Sequence, residues 1–145
     1  MNPRLWLLAA ALLGATGVGI GAYHAHGLEK SLRKQGLSDE VVSKRLEQCE
    51  VAVRYQIYHA LALLGVGLLA LRAEDTNRGL WLFTGAALFF LLGVTLFSGG
   101  LYLFVFAGNG IHWSIVPLGG LALIVGWLVL AIASIVPKQP QALSK

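Results

Sequence analysis

Charge is the scarcest property of this sequence. Asp, Glu, Lys and Arg make up only 12% of its 145 residues, about half the share found in an ordinary soluble domain. Cysteine is nearly absent as well. Cys49 stands alone, which excludes an internal disulfide and any paired-cysteine metal or redox motif, and leaves an inert thiol as the expectation. No internal repeat is present and no acidic residue lies inside an apolar run, so the pattern of a transporter or proton relay is missing. The net charge of +4 is not a nucleic-acid footprint, because no Lys/Arg cluster is interleaved with aromatics.

What remains is hydrophobic: 57% of the residues, with a mean hydropathy of +0.71. Between Arg78 and Lys138 there is no charged residue at all. A helix crosses a bilayer with about 20 apolar residues, so this stretch is too long for one span and holds two. Gly108-Asn109-Gly110 is the natural turn. The predicted third span runs over 80–107 and the fourth over 113–136. Pro117 falls in the first turns of the fourth, where a missing N–H costs little. The first span is predicted over 5–26 and the second over 55–71, the latter with Arg54 and Arg72 snorkelling at its ends. Leu5–Leu13 after Arg4 also has the look of a signal-peptide core, but the uncharged run continues to Leu28, so it is read as a span. Ala10, Gly14, Gly17 and Gly21 share one face of that span. Ala15, Gly19, Ala22 and His26 share another, so the helix is expected to be packed on both sides.

The expected architecture is therefore all-α: a single membrane domain of four transmembrane helices. Residues 38–53 form an amphipathic helix between the first two. Ser38-Asp39-Glu40 reads as its start, and Val42, Leu46, Cys49 and Val53 as its apolar stripe. This segment either lies on the membrane surface or continues into the second span. The basic residues around the second loop, Arg72 and Arg78, lean toward both termini in the cytoplasm.

Antiparallel spans bring the ends of helices one and three and the starts of helices two and four into one leaflet. The polar side chains concentrate there: His24 and His26, then Tyr55, Gln56 and His59, then Ser98 and Tyr102, then His112, Trp113 and Ser114. Tyr55 and His59 share a helix face, as do Ser98 and Tyr102. His24 and His26 are two apart and cannot point at one partner. In the opposite leaflet Trp6, Trp81 and Thr84 read as interfacial anchors. The cluster admits three readings. It is a set of interhelical hydrogen bonds, a pocket for a lipid or quinone headgroup placed by Tyr55 and His59, or a metal or haem site on His26 and His59. No oriented catalytic pair is visible, so no enzyme is expected and no cofactor is assigned. The shared leaflet predicts His26 and His59 within about one helix turn in depth. A straight hairpin turning at Gly36-Leu37 would instead set His26 opposite residues near Gln48.

Four ordered motifs then carry a resemblance. Gly21-Ala22-Tyr23-His24-Ala25-His26-Gly27-Leu28, Arg54-Tyr55-Gln56-Ile57-Tyr58-His59-Ala60-Leu61-Ala62-Leu63, Leu96-Phe97-Ser98-Gly99-Gly100-Leu101-Tyr102, and Pro117-Leu118-Gly119-Gly120 with Gly126-Trp127 are similar to motifs of the YgdD/YwdK-type family of small four-span membrane proteins. The resemblance covers nearly the whole chain and implies an inner-membrane protein of unknown function. It marks His26, Tyr55, Gln56, His59, Ser98, Tyr102, Pro117 and Gly119 as motif positions. His24 stands where the pattern has Gly, and Gly100 where it has Ser. Besides the bilayer, a membrane-protein partner or a second copy of the chain is expected. Gly17, Gly21, Gly27, Gly120 and Trp127 are expected to serve packing.

Overall fold

The computed structural model describes residues 2–73, 80–108 and 114–135. Among these, the chain is entirely helical, with four helices long and apolar enough to cross a membrane. Helix α1 is Arg4–Lys34, α2 is Asp39–Ala73, α3 is Leu80–Ala107 and α4 is Ile115–Ile135. Each packs chiefly on its neighbours in sequence, and α2 is the hub, touching both α1 and α3.

The first helix does not stop at His26 or Gly27 as expected. It passes through a single wide π turn at His24–Leu28 and regains α geometry to Lys34. The chain then reverses at Gly36, whose φ of 71° is open to a residue without Cβ. α2 starts at Asp39, with the Ser38 Oγ accepting from the Val41 N–H at 3.4 Å. Arg33 reaches across the turn to Asp39 at 2.5 Å while also pairing with Glu29 at 2.8 Å. Residues 38–53 are thus neither a separate helix nor a surface segment. From Asp39 onward they are the lower part of α2, which continues into the second span and runs unbroken for 35 residues.

That continuity has a physical reason. The stripe of Val42, Leu46, Cys49 and Val53 is buried by Leu28 and Leu32 of the extended α1 and by Val105 of α3, so it has no apolar face left for the bilayer surface. Arg45 donates to the Val105 carbonyl at 3.2 Å, supplying one of the last carbonyls of α3 with a cationic donor. At 1.5 Å per residue α2 is about 52 Å long against roughly 30 Å of hydrocarbon, so the α1–α2 hairpin stands well clear of the membrane.

Two further expectations change. Gly17 and Gly21 do face α2, where added Cβ atoms would meet Ile57 and Val53, but Gly14 and Gly19 have nothing within 4 Å. Only one of the two small-residue faces of α1 is packed. Ala15, Gly19, Ala22 and His26 are exposed. Trp6 is not an interfacial anchor: it is 3% exposed, in a core with Ala10, Leu63, Val66, Phe90 and Leu123, whereas Trp81 is open on the surface. The predicted Asn109-Gly110 turn, His112, the start of the fourth span at Trp113 and its end at Val136 lie outside the described residues.

Candidate functional site

Two in-membrane polar residues of α2, Gln56 and His59, each centre a hydrogen-bonded clamp, while the buried Trp6 Nε1 and Ser98 Oγ have no hydrogen-bond partner among the described residues. Gln56 is 4% exposed. Its Nε2 donates to the Leu13 carbonyl at 2.8 Å and to the Thr16 Oγ1 at 2.9 Å, and its Oε1 accepts from the Tyr102 hydroxyl at 2.8 Å. Both amide hydrogens are therefore used, and three helices meet on one side chain. Thr16 in turn donates to the Leu12 carbonyl at 2.8 Å. Lipid offers no alternative partner to such groups, so they hold one another.

One turn along α2, His59 makes the second clamp. The Trp127 indole N–H, which can only donate, lies 3.2 Å from His59 Nε2. Nε2 must therefore accept, which places the imidazole hydrogen on Nδ1, where it donates to the Tyr55 carbonyl at 2.8 Å. The ring is neutral with both nitrogens engaged, and it packs on Phe90 at 5.5 Å between centroids. Tyr55 lies over Phe97 at 4.7 Å. Ser98 is 1% exposed beside this layer.

His26 joins neither clamp. Gly17 lies against Ile57, Gly21 against Val53, and His24 Nε2 donates to the Leu46 carbonyl at 3.1 Å. This register sets His26 near Glu47, about a dozen residues or roughly 18 Å in depth from His59. The expected His26–His59 pairing is thus replaced by the straight hairpin, and among the described residues no group of three His, Cys, Asp or Glu side chains is placed to hold a metal. The structure brings together Gln56 with Tyr102, and Tyr55 with His59, and sets His26 apart.

His26 instead lines a cavity of about 960 Å³, open on one side, between α1 and α2 where they leave the membrane; His24, Lys30, Lys34, Glu47 and Glu50 share its wall. Sequence reasoning missed this cleft, and it missed Thr16 as the partner of Gln56. The signal for Thr16 was present: it is the one aliphatic hydroxyl in the first span and stands beside Gly17, a point of close approach to α2.

The packing residues fall on the seams. A Cβ at Gly119 would run into the backbone of Phe97, with its Cα at 2.8 Å, and one at Gly93 would meet the Leu123 nitrogen at 2.9 Å. Gly126 admits the Phe90 ring and Gly100 admits Val116. Gly120 has only ordinary contact with the Phe97 ring, and Gly27 lies under the Tyr23 ring. Pro117, three residues into α4, is exposed.

A four-helix, multi-pass membrane protein whose α2 is tied to its neighbours through Gln56 and His59 is the class these features define. The family model described as "Protein of unknown function (DUF423)" matches residues 20–120, and the chain belongs to that family. It is 37% identical over 133 residues to a UPF0382 membrane protein of Staphylococcus epidermidis, covering 91% of this chain and 96% of the relative. It is 33% identical to the UPF0382 membrane protein YwdK of Bacillus subtilis, over 91% and 97% of the two chains. It is 28% identical to the UPF0382 inner membrane protein YgdD of Escherichia coli, over 93% and 92%. No solved structure matches.

Proposed function

We propose that this protein is a non-enzymatic scaffold or accessory subunit of an inner-membrane complex, presenting the α1–α2 hairpin to a partner outside the bilayer. The observation that carries this reading is the division of polar groups. Gln56, Tyr102 and both nitrogens of His59 are consumed in holding the helices together, so the cluster offers no free base or ligand nitrogen there. The surface available for recognition is the projecting hairpin, where Glu40, Val41 and Lys44 face outward. Both termini lie in the cytoplasm in this reading and the hairpin on the far side, in keeping with the basic residues Arg4 and Arg72 at the terminal end.

The test is purification of the intact chain from its own membrane in a mild detergent. A companion protein at fixed stoichiometry, released by Val41→Asp with Lys44→Glu but retained by Gly14→Ala, is the expected result. A monomer without companion contradicts the scaffold role. Labelling of Ser43→Cys in a Cys49→Ala background, by an impermeant reagent on intact cells, checks the orientation.

A further inference from the structure

We propose that the α1–α2 cleft binds the headgroup of a phospholipid whose phosphate ester carries a primary ammonium, with one acyl chain lying along the open face of α1. This site is separate from the outward face assigned to a partner and does not depend on it.

Depth is the first argument. The uncharged stretch of α1 ends at Leu28, and the uncharged run of α2 ends, on the side toward the cleft, at Arg54. The cleft, bounded by His26, Lys30, Lys34, Glu47 and Glu50, therefore opens where hydrocarbon gives way to phosphate. Charge is the second. Glu50 is paired with Arg54, and Arg33 with Glu29 and Asp39. Subtracting these leaves two ammonium groups on the α1 wall, Lys30 and Lys34, facing one carboxylate on the α2 wall, Glu47. Among the described residues none of the three has an ion pair. A phosphate between the lysines and an ammonium against Glu47 would satisfy both walls, whereas a purely anionic headgroup would leave the carboxylate facing it. A quaternary ammonium has no N–H to give Glu47, which favours the primary amine.

Shape is the third. Ala15, Gly19, Ala22, His26 and Lys30 follow one another at spacings of three and four, so they form a single line along α1. All five are exposed, and nothing lies within 4 Å of a Cβ built at Gly19. The line leads from the apolar part of α1 to the cleft, and its small residues Ala15, Gly19 and Ala22 leave the helix surface open there to an acyl chain.

The experiment is native mass spectrometry of the full chain in mild detergent, titrated separately with phosphatidylethanolamine, phosphatidylcholine and phosphatidylglycerol. Phosphatidylethanolamine is expected to bind at about tenfold lower concentration than either of the others. Glu47→Gln should abolish that preference, and Glu47→Lys should transfer it to phosphatidylglycerol. Lys30→Ala with Lys34→Ala should weaken all three lipids, and Gly19→Leu should weaken them without changing their order. Equal retention of the three lipids by the natural chain, or an unchanged preference in Glu47→Gln with a native circular dichroism spectrum, would overturn the proposal. Equal binding of water-soluble glycerophosphoethanolamine would overturn the lipid and leave a soluble phosphate ester.

Discussion

The two helical hairpins of this protein are held by different means. α3 and α4 meet through glycines contributed from both sides: Gly93 and Gly100 admit Leu123 and Val116, while Gly119 and Gly126 admit Phe97 and Phe90. α1 and α2 also use close approach, at Gly17 and Gly67, but their register is pinned by Gln56 to Leu13 and Thr16 and by His24 to Leu46. The difference follows from where each hairpin ends. α3 and α4 carry no charge, and between two apolar helices packing is the principal attraction. α1 and α2 continue into water, and their register is fixed at both levels, by Gln56 within the bilayer and by His24 where the hairpin leaves it.

That contrast sets the order of effects. The largest should come from Gly119→Val, because the obstacle is the Phe97 backbone rather than a movable side chain. A loss of about 3 kcal/mol in reversible detergent unfolding is expected. Gln56→Leu should cost about 1–2 kcal/mol, since it strands the Tyr102 hydroxyl. It should also loosen α1 against α2, seen as faster amide exchange near Thr16. Trp127→Phe removes one interhelical bond to His59 and should cost about 0.6 kcal/mol. Gly19→Ala, on the open face of α1, should change stability by less than about 0.5 kcal/mol. If Gly19→Ala proved as damaging as Gly119→Val, α1 would have to be packed on a second side.

The helices themselves were legible because lipid imposes a length and forbids charge, and α3 and α4 obey both rules without exception. The small-residue seam at Gly17 and Gly21 was legible for the same reason. The extent of α1 was not. Gly27 looks like a helix end, but within a π turn it simply continues the helix, and the apolar stripe from Val42 to Val53 needs Leu28 and Leu32 as its cover. Periodicity shows that a stripe exists and is silent on what lies against it. The concentration of polar residues near one leaflet was visible, yet their pairing depended on the hairpin register. A shift of about a dozen residues separates a His26–His59 site from a His26–Lys30–Glu47 cleft. Trp6 was misplaced because an indole near a span end is usually interfacial, and here Ala10 and Ala87 leave room for it inside.

The register of the α1–α2 hairpin is therefore the point on which the clamps, the cleft and the lipid proposal all rest. It is measured most directly by the distance between spin labels at His26→Cys and at the exposed Tyr58→Cys, in a Cys49→Ala background and a lipid bilayer. A continuous hairpin turning at Gly36 separates the two positions by about 17 Å in depth alone. A label distance below about 10 Å, as expected if the first helix ended at Gly27 and the histidines met, would contradict it.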